Sequence, residues 1–477
     1  MPTILVLCAS VLLVFAASLA VPAIAAAGEG DWRALEGCLL VATAWGFGAT
    51  GLFLSMRPRA RALNRAGVFA AAIALWVTFV AAAVPVFMLV EGRDLAEAVF
   101  EAASAATTLG ITLQPLDGMS GAMAFYRGTT AWLGGVLTLL LAIYVMGPYG
   151  VGGTPNRDLR LVQHSAQAQG PRLWRTTRAV LLPYAAFTGL CALLLVVSQV
   201  SPPDALIVAM SMLATNGFVP YHEAGTVLAN PVAEMVMMVF MVVGATSILW
   251  HRMALDRRWQ LVAQDTESVR YVAAIVIMMA VVAVASVFMP NGAESAGQRA
   301  FTFAFDIVSV MTTTGVTHDP RVGLGLPIEL VLLIALVGGC AYSTAGGIKV
   351  FRLTGMLHHL GNELRRLVHP HAALRASVEF DDEERQRAKA IWSAFFLAIL
   401  TIAIAILALS AQGLPLPEAL AAATGAFSQI GNITAASIPG FAAGQADSGV
   451  LMTIAALALV SRIEILVVLA AVSFNRW

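Results

Sequence analysis

The 477-residue chain is 59% hydrophobic and 12% charged, against about 25% charged residues in an average soluble domain, and its formal net charge is zero. So much apolar surface excludes a soluble fold, and the neutral balance gives no global field that would draw nucleic acid. The apolar residues come in blocks: 180–200, 271–289 and 391–409 each approach the ~20 residues that cross a bilayer as a helix, the form lipid requires because it offers the backbone no partner.

In chain order, the segment 4–27 lacks a basic lead-in and is long for a signal peptide. It is therefore read as a retained helix, paired with 36–55 in an N-terminal hairpin. All but Lys349 and Lys389 of the 28 basic residues are arginine, and they cluster between apolar runs. The clusters are Arg57, Arg59, Arg61 and Arg65; Arg157, Arg160, Arg172, Arg175 and Arg178; Arg252, Arg257 and Arg258; and a long group from Arg352 to Lys389. The positive-inside rule puts these clusters, and with them both termini, in the cytoplasm. Arg33, Arg93, Arg127, Arg299 and Arg321 fall to the other connections, leaving the spans nearly free of ionisable residues. Cys8, Cys38, Cys191 and Cys340 show no metal-ligand spacing and read as small core residues.

After the hairpin a longer pattern recurs: an apolar helix, a short weakly apolar stretch ending in a turn with glycine, and a second apolar helix. The short stretches are 97–110, 204–217, 298–315 and 418–431. Each is too short to span, so each is expected to dip into the membrane and stop at its glycine. The turns read Thr107-Thr108-Leu109-Gly110, Thr215-Asn216-Gly217, Thr313-Thr314-Gly315 and Gln429-Ile430-Gly431-Asn432. Four such turns around one axis would present carbonyls able to replace a cation's hydration shell, with the partly negative ends of four short helices aimed at them. The expected fold is an all-α polytopic membrane protein: an N-terminal helical hairpin plus four helix–re-entrant pore loop–helix repeats around a central pore. The divisions are a hairpin at 1–66, repeats at 67–150, 151–258, 259–360 and 388–477, and a cytoplasmic linker at 361–387.

The third repeat carries Gly338-Gly339-Cys340-Ala341-Tyr342-Ser343-Thr344-Ala345-Gly346-Gly347-Ile348-Lys349. Paired glycines and hydroxylated residues do not continue a helix, and a break inside a membrane is tolerated where it lines a cavity. Arg462 lies in the last apolar stretch; such an arginine faces a cavity or partner, pairs with nearby Glu464, or snorkels to the interface. Lys349 reads as the end of its helix.

With this segment, Trp132-Leu133-Gly134-Gly135, Arg366-Leu367-Val368-His369-Pro370 and Arg462-Ile463-Glu464-Ile465, the chain resembles the bacterial Trk-type subunits of the Trk/Ktr/HKT superfamily of potassium transporters over nearly its whole length. The resemblance implies potassium uptake across a bacterial inner membrane, with potassium as substrate and no cofactor on this chain. The implied filter residues are Thr108, Leu109, Gly110, Thr215, Asn216, Gly217, Thr313, Thr314, Gly315, Gln429, Ile430, Gly431 and Asn432. The implied gate is Gly338, Gly339, Ser343, Thr344, Gly346, Gly347 and Arg462. It also implies a homodimer docked to a nucleotide-binding regulatory subunit; this chain has no phosphate loop of its own, so any nucleotide control would come from that separate partner. The fourth turn departs most from the family pattern: Gly431-Asn432 runs into Ile433-Thr434-Ala435 where Gly-Asn-x-Gly-Pro-Gly is common.

Two other readings follow from the residues. An enzyme is not expected: His164, His222, His251, His318, His358, His359, His369 and His371 show no HExxH spacing, most fall in loops, and no GxSxG elbow is present. A secondary transporter of another small solute or of sodium would use the Gly-rich break as its substrate site. Such transporters have one or two paired broken helices, whereas this chain has four turns plus one break.

Overall fold

The computed structural model describes residues 1–115, 118–155, 171–220, 230–288, 295–318, 326–368, 378–441 and 444–473, and among them every regular element is a helix. Arg157, Arg160, His164, His222, Arg321, His369 and His371 lie outside the described residues. Seven described helices are long and apolar enough to cross a membrane: Pro2–Glu29, Trp32–Arg59, Arg65–Val90, Gly121–Tyr149, Thr177–Val197, Thr266–Ser286 and Glu384–Ala411. Two bent pairs, Pro231–Ala245 with Ile248–Leu255 (104°) and Ser448–Ile463 with Ile465–Ala471 (87°), bring the number to nine if each pair is one span. These helices turn Phe47, Leu193, Ile277 and Leu407 outward and pack alanine inward, as at Ala82, Ala83, Ala405 and Ala458. That polarity suits hydrocarbon solvent and would aggregate in water.

The first two spans pack on each other and on Arg65–Val90, where Phe15, Trp76, Phe79, Phe87 and Tyr126 meet edge to face. Pro85 cannot donate to the turn before it. Near it, the carbonyls of Ala82 and Ala83 accept from Trp45 Nε1 (3.1 Å) and Tyr126 Oη (2.7 Å), so the interrupted turn is tied to both neighbours.

Four short helices alternate with the long ones: Leu95–Thr107, Pro202–Ala214, Ala296–Met311 and Leu416–Ser428. Their starts are local chemistry. Asp94 caps Glu97 N at 2.8 Å, Ser201 caps Asp204 N, and Ser295 with Gln298 forms a reciprocal capping box; the fourth begins with Pro at its first turn. The third is 16 residues long and the others 13, so one repeat carries about one extra turn.

The structure corrects the expectation that the interior is nearly free of charge. Arg127 is not in a connection but inside Gly121–Leu141, 3% exposed, bonded to Glu91 (3.0 Å) and Glu101 (2.9 Å) and donating to Thr112 Oγ1 at 2.7 Å. Among the described histidines, His251 is buried in Ile248–Leu255, its ring 3.0 Å from Val243 O, and His358 and His359 lie in Val350–Val368. Breaking a buried pair strands its partner at a cost of about 3–5 kcal/mol. Arg127→Met, which strands Glu101 and leaves Glu91 only its longer 3.7 Å pair with Arg93, is expected to lower the thermal unfolding midpoint in detergent well below that of wild type. A variant as stable as wild type would contradict the network.

Candidate functional site

The four short helices end alike. Thr108 (φ 66°), Thr215 (φ 50°), Thr313 (φ 58°) and Gln429 (φ 63°) all take the left-handed conformation, each at the same offset before Gly110, Gly217, Gly315 and Gly431. A side-chain-bearing residue reaches that region only at a cost, and its recurrence at four matched positions marks a shared turn. In the sequence the four turns share only their glycine; the backbone regularity beneath it extends to Gln429, a residue type that does not favour this conformation.

The turns meet in repeat order and close a ring. A Cβ placed on Gly110 would overlap Asn216 Oδ1 and lie 2.5 Å from Gly217 N. On Gly217 it would lie 2.9 Å from Thr314 O, and on Gly315 3.3 Å from Gly431 N. On Gly431 it would overlap Leu109 O, returning to the first turn. Each glycine therefore faces the next repeat's backbone, with no room for a side chain at Gly110, Gly217 and Gly431 and little at Gly315. Thr108, Leu109, Thr215, Asn216, Thr313, Thr314, Gln429 and Ile430 are all buried around this ring. The fourth turn departs from the others just where its sequence does. Gly431 opens a short helical turn, Gly431–Ala436, and Asn432 donates from its side chain to the carbonyl of Gly315. Gln429 aims away, donating to Ala458 O (2.9 Å) and Ser461 Oγ (2.7 Å).

Against the helix ends lies the interruption in the third repeat. The helix stops at Val337 and resumes at Val350. Its neck is pinched by Ile348 N donating to Leu336 O (3.0 Å) and Val350 N to Gly339 O (3.0 Å). Gly338 (φ 69°) and Gly347 (φ 73°) cross there so closely that a Cβ on Gly347 would lie 2.6 Å from Gly338 Cα. Beyond the neck the loop reaches the other repeats. Thr344 Oγ1 donates within 2.9 Å of both Leu213 O and Gly244 O, Gly346 N donates to Thr313 Oγ1 at 2.7 Å, and Gly346 packs on Ser428 O. Ser343 Oγ donates back to Cys340 O at 2.7 Å.

Arg462 completes the contact with the first repeat. Its Nε donates to Thr107 O and its Nη1 to Thr344 O, both at 2.5 Å, and its Nη2 donates to Thr108 Oγ1. The loop and Arg462 together thus touch the carboxyl ends of all four short helices. A cation at the C-terminus of a helix is the favourable sign for the helix dipole. The structure overturns the readings of Arg462 as the partner of Glu464 or as a snorkelling side chain. Arg462 is 4% exposed, and Glu464 pairs instead with Arg352 at 2.6 Å. Glu464 itself sits at φ 74° in the 87° bend between Ser448–Ile463 and the last helix. Lys349 does not end a helix; it precedes Val350 at φ 81°, with Nζ donating to Ala345 O. A cavity of about 50 Å³ lies here, its lining including Gln429, Ser343, Gly346, Lys349, Arg462 and Glu464. Gly134 and Gly135 of the tryptophan-containing motif allow close packing: a Cβ on Gly134 would overlap Ala106 O of the first short helix, and one on Gly135 would overlap Tyr184 Oη.

The TrkH family, described as a cation transport protein, matches residues 87–474. The Trk system potassium uptake protein TrkH of Salmonella typhimurium is 27% identical over 416 residues, covering 84% of each chain. The Trk system potassium uptake protein TrkI of Halomonas elongata is 29% identical over 365 residues, 75% of this chain and 72% of that one. The crystal structure of the potassium transporter TrkH from Vibrio parahaemolyticus superposes with a TM-score of 0.86 over 100% of this chain and 99% of that chain, at 23% identity, which establishes the polytopic membrane fold. The family match extends over most of the chain, including the ring, the interrupted helix and Arg462: this protein is a member of the TrkH family of cation transport proteins.

Proposed function

We propose that the chain carries potassium through the ring of four glycine turns, with the third-repeat loop and Arg462 as its gate. The observation that carries this reading is the closure of the ring in repeat order, each short helix directing its carboxyl end toward it. Helix C-termini and turn carbonyls favour a cation over an anion. Potassium is supported by the relatives, which are named as potassium uptake proteins. The ring residues are those from Thr108, Thr215, Thr313 and Gln429 through the four glycines, and Asn432 restrains one of its carbonyls.

In this reading the loop blocks passage, since Thr344 and Gly346 bind the ends of the second and third short helices while Arg462 holds the first. Passage requires those bonds to part. The four basic clusters support cytoplasmic termini in a bacterial inner membrane. The relatives' designation as Trk system proteins supports a partner component, for which we infer a homodimer docked on a nucleotide-binding regulatory subunit. The alternative, a solute site in the Gly-rich break, is disfavoured because the loop is tied by its own backbone to the neighbouring repeats and the cavity beside it is only about 50 Å³.

The test is rescue of a potassium-uptake-deficient bacterium on low potassium, with the partner subunit present and rubidium uptake measured alongside. Rescue with rubidium entry is the expected result. A well-expressed chain that supports neither would overturn the assignment.

A further inference from the structure

The four turns are not equivalent, and the difference alternates around the ring. Gly110 (φ 79°) and Gly315 (φ 80°) are left-handed, whereas Gly217 and Gly431 are not. In the first repeat Ser104 Oγ donates to Ile111 O at 2.6 Å; in the third Ser309 Oγ donates to Val316 O at 2.5 Å. Glu101 accepts from Leu113 N at 2.7 Å, and Asp306 accepts from His318 N at a longer 3.5 Å. Each serine, each acid and each residue they hold stands at the same offset from its glycine in the two repeats. The corresponding positions in the second and fourth repeats are Val208 with Ser211 and Ala422 with Gly425. Val208 and Ala422 can accept nothing, Gly425 has no hydroxyl, and Ser211 Oγ is buried with no hydrogen-bond partner. There the chain beyond the ring is held by other means: Asn216 Oδ1 accepts from Phe218 N at 2.7 Å, and Gly431 starts a helical turn.

We propose that Glu101 and Asp306 are positioning residues that, with Ser104 and Ser309, pin the chain leaving the first and third turns and so set how well the ring tells a large monovalent cation from a small one. This rests on the pore reading above. A carboxylate accepting a backbone N–H makes a stronger tie than a neutral oxygen. Each tie is itself anchored in the protein, the first at its acid and the third at the residue its acid holds. Glu101 is bonded to Arg127, and the ring of His318 bonds Glu234, which extends the third repeat's tie into Pro231–Ala245. The ring is therefore clamped along one diagonal by side chains of its own short helices. Releasing that clamp lets the carbonyls close on a smaller ion, which costs selectivity without removing the ring.

The experiment is the ratio of rubidium to sodium flux in proteoliposomes. Glu101→Ala and Asp306→Ala are each expected to lower the ratio by about tenfold, the size of one lost charge-assisted hydrogen bond, mainly by admitting sodium. Glu101→Gln and Asp306→Asn, which keep an acceptor oxygen, should recover much of it. The sharpest comparison is one substitution at matched positions: Ser309→Ala lowers the ratio and Ser211→Ala does not. If Glu101→Ala fails to fold because Arg127 loses its partner, Asp306 and Ser309 still decide the matter. An unchanged ratio in Asp306→Ala and Ser309→Ala overturns the proposal, as does an equal fall in Ser211→Ala or a parallel loss of both ions. A wild type that carries neither ion overturns the pore reading itself, so the two failures are told apart.

Discussion

Gly110→Ala is expected to reduce rubidium uptake at least about a hundredfold while the protein still reaches the membrane. Two independent costs converge at this residue. Its φ of 79° is a region where a Cβ costs about 1–2 kcal/mol. The added methyl would also lie 2.5 Å from Gly217 N and overlap Asn216 Oδ1. The first of these is backbone, so no side-chain rotation relieves it; the first turn has to move relative to the second. About 2.7 kcal/mol of misplacement corresponds to the hundredfold stated. Gly315→Ala has the same φ cost, but its nearest neighbour is Ile430 Cγ2 at 3.1 Å, a side-chain atom, so its loss should be smaller. Gly46→Ala, in a spanning helix with nothing within 4 Å, should be unaffected. Uptake by Gly110→Ala equal to that of Gly46→Ala would remove the ring from the transport path.

The sequence made some of this legible and concealed the rest for physical reasons. The short helices were readable because each stretch is too short to span and stops at a glycine turn, and the caps that start them, Asp94 with Glu97 and Ser295 with Gln298, also lie only a few residues apart. Their glycines were readable because close backbone approach leaves no substitute. Closure of the ring was not, since contacts between Gly110 and Gly217 or Gly431 and Leu109 join residues far apart in the chain. The left-handed Gln429 was hidden because nothing in its residue type announces that conformation. Arg127 was misplaced because a single arginine in an apolar stretch reads as a boundary, and only its carboxylate partners, Glu91 and Glu101, reveal it as interior. The same applies to Arg352 and Glu464. Proximity in sequence suggested Arg462 for Glu464, whereas the 87° bend at Glu464 turns its carboxylate to Arg352 and leaves Arg462 for the helix ends.

That division of partners sets up the second large effect: Arg462→Ala should raise rubidium flux in the absence of any activating partner. The guanidinium places a full positive charge against Thr107 O and Thr108 Oγ1, at the helix end where a permeating cation would gain most. At a few ångströms and an effective dielectric near 20, two like charges repel by about 3–4 kcal/mol. Arg462 also supplies the bond to Thr344 O that joins the loop to the first repeat, so its removal loosens the gate as well as lowering the barrier. Both effects have the same sign, and an increase of about tenfold or more is expected. Arg462→Lys separates them, because it keeps the charge but cannot span Thr107, Thr108 and Thr344 at once; its flux should fall between wild type and Arg462→Ala. Glu464→Gln supplies the complementary measurement. It weakens the hold on Arg352 without touching any bond made by Arg462, so it should destabilise the bent pair while leaving basal flux close to wild type. Flux in Arg462→Ala no higher than in wild type, with the protein intact, would mean that the arginine braces the helix ends and does not stand in the path of the ion.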